Sequence, residues 1–204
     1  MKLAVLAGGS GSRMGFVEKP LMRVCGKRII ERIAGLGFPM LIVCGEKRDV
    51  YERIAKDFAD VEVVEDLVKG FGPLGGIYTA LHFSRDVVVV GGDMPFVRRD
   101  VVTLLFERGR KMGCNALIPE WSDGKKEPLL AYYSSSALPA FREAIERGER
   151  KIMRAVDRME RTSFLQVDEI RRVDGDLVSF FNVNTPEDLK RAEEICSSTD
   201  TEGE

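Results

Sequence analysis

Short apolar runs alternate with helix-periodic segments along almost the whole chain, and this alternation limits the fold more than any single motif does. Residues 2–6, 40–44, 61–64, 87–90, 116–118, 129–133 and 163–167 read as strands, with a further one over 177–183. Helical spacing covers 28–36, 48–58, 75–83, 99–111, 137–147 and 152–158. Thr185-Pro186-Glu187-Asp188 opens a last helix to about residue 195, with Thr185 as cap and Pro186 at the first helical position. Ser134-Ser135-Ser136 offers a cap to the helix that follows it. Val87 to Val90 is an unbroken run of valines, the pattern of a strand buried on both faces. Strand–helix repetition of this kind predicts an α/β fold, a mostly parallel central sheet with helices on both faces. Nothing repetitive or low in complexity divides the chain, so one domain is expected over 1–196, with a disordered polar tail over 197–204.

Composition removes several classes of function. The 31 basic and 33 acidic side chains leave a formal net charge of −2, too weak a field to steer the chain toward nucleic acid or an anionic membrane. No apolar stretch reaches the roughly 18 residues that would span a bilayer. Leu3-Ala4-Val5-Leu6 is too short for the core of a secretion signal. Cys25, Cys44, Cys114 and Cys196 make no C-x-x-C pair, so zinc and iron–sulfur ligation are not expected. Scattered cysteines of this kind predict reduced, buried thiols in a cytoplasmic protein.

The glycines are distributed unevenly. Half of the 20 fall in three stretches: Gly8, Gly9, Gly11 and Gly15; Gly70, Gly72, Gly75 and Gly76; Gly91 and Gly92. Each follows a predicted strand, where open α/β sheets bind ligands near a topological switch point. The first loop, Leu6-Ala7-Gly8-Gly9-Ser10-Gly11-Ser12-Arg13-Met14-Gly15, lets backbone N–H groups approach anionic oxygens. It is not a Walker A loop, because Gly26-Lys27 is followed by Arg28, and it lacks the third glycine of the dinucleotide fingerprint, where Met14 stands. Its two cations, Arg13 and Lys19, suit a triphosphate, whose charge shifts during transfer. Asp93, in Gly91-Gly92-Asp93-Met94-Pro95, ends the valine strand and is placed to hold Mg²⁺ together with substrate phosphates. A solvated glycine turn and a turn-capping aspartate are the simpler readings of the same residues.

Taken together, Leu6-Ala7-Gly8-Gly9, Arg13-Met14-Gly15, Lys19, Gly72-Pro73-Leu74-Gly75-Gly76, Asp93-Met94-Pro95, Glu127-Pro128-Leu129 and Asn182-Val183-Asn184-Thr185-Pro186-Glu187-Asp188 resemble the molybdenum cofactor guanylyltransferases, the molybdopterin-guanine dinucleotide biosynthesis protein A family. The likeness runs from Leu3 to about Ala192. It implies a Rossmann-like three-layer sandwich of the nucleotide-diphospho-sugar transferase type. It also implies GMP transfer from Mg-GTP to the phosphate of molybdopterin, with pyrophosphate released. Leu6, Ala7, Gly8 and Gly9 would then contact the nucleotide, with Arg13 and Lys19 on its phosphates as catalytic cations. Asp66, Gly72 and Gly76 would serve the nucleotide, Asp93 the Mg²⁺, and Glu127, Asn182 and Asn184 the acceptor. Transient contact with cofactor-synthesis or acceptor enzymes is implied as well. On a strand, Asn182 and Asn184 would point to one side, and paired amides suit the donor–acceptor edge of a pterin.

This chain departs from the family pattern at two places. Cys44 stands where relatives often carry Asn, and Phe16 where a second glycine is common. Val17-Glu18-Lys19-Pro20-Leu21 and Val24-Cys25-Gly26 also resemble archaeal adenosylcobinamide-phosphate guanylyltransferases, though those generally lack the G-P-L-x-G segment. A regulatory protein that senses GTP without turnover is the reading from another class, and the presence of both Asp93 and Lys19 argues against it, because a pure sensor needs no metal-assisted leaving group. His82, the only histidine, reads as structural or exposed. Lys125 and Lys126 could close the acceptor site, Trp121 could stack on a flat ring or pack over the sheet edge, and Arg147-Gly148-Glu149-Arg150-Lys151 could meet a phosphate or solvate a helix end.

Overall fold

In the computed structural model, which describes residues 1–8 and 18–200, the valine run lies in β6 (Asp86–Gly91) and is fully buried from Val87 to Val90. Side chains alternate across a strand, so Val88 and Val90 enter one core with Leu3, Val5 and Ile42, while Val87 and Val89 enter another with Ala4, Leu6, Leu41 and Val43. β1 (Lys2–Leu6) lies between β6 and β4 (Met40–Cys44), and β5 (Val61–Glu65) extends that edge, all four parallel. On the other side of β6 come β8 (Leu130–Ser134), β7 (Ala116–Glu120) and β9 (Thr162–Gln166), giving the order β5-β4-β1-β6-β8-β7-β9. Only β8 runs against the rest of this sheet. Its short connection to β7 allows no crossover, so the two strands must be antiparallel.

One face is covered by α1 (Ile29–Ala34), α2 (Arg48–Ala55), α4 (Arg99–Met112), α7 (Val167–Ile170) and α8 (Pro186–Asp200), through Ile30, Tyr51, Val102, Ile170 and Ala192 among others. The other face carries α3 (Pro73–Phe83), α5 (Leu138–Glu146) and α6 (Ile152–Val156), through Ile77, Phe141 and Ala155. The expected three-layer arrangement is therefore observed. From β1 the chain winds outward through β4 and β5, then crosses back to β6. The carboxyl ends of β1 and β6 thus part the sheet at a switch point.

Four expectations need correction. Residues 177–183 form no strand: Leu177 takes φ 54°, and a 3-10 turn (Val178–Phe180) follows. The buried carboxylate of Asp174 captures the N–H groups of Val178 and Ser179 (3.2 and 2.9 Å), donors a sheet ladder would have used. The serine run makes no side-chain cap, because the buried amide of Asn115 recruits Ser136 Oγ (2.7 Å) and a 3-10 turn (Ser135–Ala137) leads into α5. Helix α8 continues past the expected tail boundary to Asp200. Cys44 and Cys114 are buried free thiols, but Cys25 and Cys196 are joined in a disulfide although 171 residues apart. Cys25 sits at the tip of a hairpin formed by β2 (Arg23–Val24) and β3 (Lys27–Arg28), and α8 packs across β2. No helix among the described residues is long and apolar enough to cross a membrane.

Candidate active site

A cavity of about 390 Å³ opens at the switch point. Leu6, Ala7 and Gly8 line it from the end of β1, and Gly91, Gly92 and Asp93 from the end of β6. Lys19 and Pro20 come from a 3-10 turn (Lys19–Leu21), Gly72 and Pro73 from the start of α3, and Leu129 from the chain entering β8. All three glycine clusters reach this one space. Gly92 is required there by contact: a Cβ would lie 2.5 Å from Pro20 Cγ and 2.8 Å from the Leu6 carbonyl oxygen. Gly72 has φ 57° and ψ −138°, a conformation open to glycine, and it directs the N-terminus of α3 at the cavity. Helix N-termini carry free N–H groups and a positive dipole end, which favour anions.

Lys19 connects the two halves of the site. Its Nζ donates to Asp93 Oδ2 (3.0 Å) and to Asn184 Oδ1 (2.5 Å), with both charged side chains about three-quarters buried. Glu18, just before it, is fixed from behind: Tyr51 donates its hydroxyl to Glu18 Oε2 (2.9 Å), and Lys47 Nζ lies 3.7 Å from Oε1. Burial first, then the Glu18 carboxylate, raises the Tyr51 pKa above the usual phenol range, so this donor keeps its proton. On the other side, Val183 N–H donates to the Asp93 carbonyl (2.8 Å). Asp188 Oδ2 accepts from Asn184 and Thr185 N–H, each at 3.0 Å, and Thr185 Oγ1 accepts from Asp188 N–H (3.1 Å). The Asn184 N–H, and after it the Thr185 groups, hold the Asp188 carboxyl below its usual range against the opposing effect of burial. Thr185 is the expected cap, and Asp188 completes a reciprocal capping box.

Not every candidate meets at the cavity. Leu6, Ala7, Gly8, Lys19, Gly72 and Asp93 line it together, and Asn184 is reached through Lys19. Gly76 stands one layer behind, where a Cβ would come 3.1 Å from Leu6 Cδ2, so its part is to let α3 approach β1. Asp66 is outside the lining and accepts from Thr79 Oγ1 (2.7 Å) and Val68 N–H (3.2 Å). Glu127 closes its own loop, accepting from Trp121 Nε1 (2.8 Å) and pairing with Lys125 (2.7 Å). Asn182 Nδ2 donates to the Phe180 carbonyl (2.8 Å), and without a strand the expected convergence of Asn182 with Asn184 has no basis. Gly9, Arg13 and Phe16 lie outside the described residues.

The remaining candidates are otherwise engaged. Trp121 packs edge-on against Phe180, Lys126 pairs with Glu120, and Arg147 pairs with Glu143. His82 is exposed on α3 beside Tyr78 and Phe83. Sequence reasoning missed Glu18, Tyr51 and Asp188. Only Asp188 had a readable signal, the T-x-x-D spacing; Tyr51 meets Glu18 across 33 residues of chain.

Asp93 is a hard oxygen donor on a glycine-cradled strand end, with Oδ1 only 2.8 Å from where a Gly91 Cβ would be. One carboxylate beside a phosphate-sized space fits Mg²⁺, which commonly takes one or two carboxylates and completes its shell with phosphate oxygens and water. A cation set against that carboxylate, at a switch point rich in glycine, is the equipment of nucleotide-phosphate chemistry, and the class so defined is the nucleotidyltransferases. The model of the MobA-like NTP transferase domain matches residues 3–162. Probable molybdenum cofactor guanylyltransferases of Methanosarcina mazei and Thermococcus kodakarensis are 38% and 39% identical to this chain, over 91% and 92% of it and 87% and 92% of their own lengths. The crystal structure of molybdopterin-guanine dinucleotide biosynthesis protein A from Archaeoglobus fulgidus superposes with a TM-score of 0.87 at 42% identity, over 97% of this chain and 100% of that one. The chain belongs to the MobA-like molybdenum cofactor guanylyltransferase family.

Proposed function

We propose that this enzyme transfers GMP from Mg-GTP to the phosphate of molybdopterin in the cytoplasm, releasing pyrophosphate. The observation that carries the reading is Lys19, whose ammonium bridges Asp93 on the β6 side and Asn184 on the α8 side. Two anions must approach one another in this reaction, the acceptor phosphate and the α-phosphoryl group. A cation at the junction of the two half-sites offsets that repulsion as it develops.

In this reading an acceptor phosphate oxygen attacks the α-phosphorus of GTP in line. The new P–O bond forms as the bond to the β-phosphate oxygen breaks, and pyrophosphate leaves. No protein nucleophile is needed, and His82, the only histidine, is exposed on α3. Gly8, Gly72 and the N-terminus of α3 would receive the nucleotide, with Gly9 and Arg13 adding donors to its phosphates. Asp93 would hold Mg²⁺, which supplies charge neutralisation on the phosphates when bound. Asn184 would face the acceptor, with Asn182 two residues before it on the same arm and Glu127 shaping the neighbouring loop. The product passes on through transient contact with cofactor-synthesis or acceptor enzymes.

The test is pyrophosphate release from Mg-GTP with molybdopterin or with cobinamide phosphate as acceptor. Release with molybdopterin alone is expected. Release with cobinamide phosphate alone would reassign the acceptor. GTP-induced thermal stabilisation with neither acceptor turning over would favour a sensor.

A further inference from the structure

The segment from Asp174 to Asp188 carries both asparagines but has no regular structure beyond one 3-10 turn until α8 begins. Something other than a ladder must therefore fix where Asn182 and Asn184 stand. Asp174 is fully buried and outside every motif singled out above. Its Oδ1 accepts from Val178 N–H (3.2 Å) and its Oδ2 from Ser179 N–H (2.9 Å), while its own carbonyl accepts from Leu177 N–H (3.0 Å). Among the described residues it forms one ion pair within 4 Å, with Arg98, whose Nη1 lies 3.8 Å from Oδ1.

Ser179, also fully buried, passes that order to the catalytic loop. Its Oγ accepts from the backbone N–H of Arg98 (3.0 Å), five residues after Asp93. Phe181 packs on Phe96 at 5.8 Å, and Val183 N–H donates to the Asp93 carbonyl. The arm is thus held against the 93–98 loop by Ser179, Phe181 and Val183, and Asp174 fixes the turn that presents the first of these. A buried carboxylate is costly unless its hydrogen bonds are made. Here those bonds go to backbone donors whose placement sets the arm's course.

We infer that Asp174 and Ser179 are positioning residues for the transfer reaction: they hold the arm bearing Asn182 and Asn184 in register with Asp93, so that acceptor and nucleotide meet in line. The inference rests on the proposed function, in which Asn184 on this arm faces the acceptor. Asp174→Asn keeps the shape but gives one N–H donor an NH₂ group instead of an acceptor oxygen. Ser179→Ala removes a single hydroxyl and is the milder change.

Steady-state kinetics on the full chain, varying molybdopterin at saturating Mg-GTP and then the reverse, separates the possibilities, with Asn184→Ala as reference. Both positioning variants are expected to raise the KM for molybdopterin about tenfold, to lower kcat by about tenfold or more because an acceptor held out of line reacts more slowly, and to leave the KM for GTP within about twofold. Equal changes in both KM values, or a lower melting temperature with kcat and both KM values unchanged, would overturn the positioning role while an Asn184→Ala effect left the acceptor reading intact. If Asn184→Ala also leaves the molybdopterin KM unchanged, the acceptor reading falls and the inference falls with it.

Discussion

Cutting the Cys25–Cys196 bond should cost this chain several kcal/mol of stability. The bond spans 171 residues, nearly the whole domain, and ties the tip of the β2–β3 hairpin to α8. The Cα atoms stand 6.1 Å apart, within the ordinary range for a disulfide. In the chain-entropy picture, closing a loop of that length removes unfolded-state freedom equivalent to about 5 kcal/mol. For a chain of this size, that corresponds to a fall in melting temperature of roughly 10–20 °C. The Glu193 carboxylate, which accepts from Cys25 N–H (2.9 Å), remains in the variants and does not offset the loss.

The assay is calorimetric melting of oxidised protein, reduced protein, Cys25→Ser, Cys196→Ser and the double variant. Either single variant removes the whole bond, so all four altered samples should melt together, well below the oxidised protein. Cys44 and Cys114 are free in every sample, which leaves this pair as the only disulfide for reductant to act upon. Intact mass should fall about 2 Da short of the four-thiol value before reduction. Four alkylatable thiols in denatured, unreduced protein, or variants that melt within about 2 °C of it, would refute the reasoning.

Further outcomes follow from individual sites. Lys19→Met is expected to lower kcat by about 10²- to 10³-fold, with GTP affinity, read by calorimetry, changing far less. Asp93→Ala should abolish Mg²⁺-dependent turnover, and a variant still active would remove Asp93 from the metal. Gly109→Ala should destabilise the chain: helix propensity gains about 1 kcal/mol, but the Tyr132 ring occupies the space a Cβ needs, and overpacking costs about 1–3 kcal/mol or more, so urea melts should show a net loss. Burial, then the Glu65 carboxylate, pushes the Cys44 thiol from 9.0 up to about 11. Above pH 9 the unfolded chain therefore releases a proton that the native state keeps, and stability should fall as pH rises from about 9 toward 11, with buried Tyr51 and Tyr133 adding to the loss higher up. Urea melts across that range check the sign, and Cys44→Ser should flatten the first part of the slope.

What the sequence determined by itself was whatever depends on local pattern. The valine run had to be a strand buried on both faces, because an apolar residue at every position leaves no side for water. Glycines after successive strands had to gather at one end of a parallel sheet, and Gly8, Gly72 and Gly92 do border one cavity. Thr185 and Pro186 announced the start of α8, since cap chemistry is a matter of a few adjacent residues. Pattern failed where one distant side chain redirected the backbone. Residues 177–183 have the apolar content of a strand, yet the Asp174 carboxylate takes the N–H groups a ladder would need. The rest came from tertiary structure alone. That Lys19 reaches Asn184, 165 residues away, that Tyr51 fixes Glu18, and that Cys25 meets Cys196 all depend on how helices cross the sheet. Periodicity records which face of an element is buried, but not which partner, far along the chain, will be waiting there.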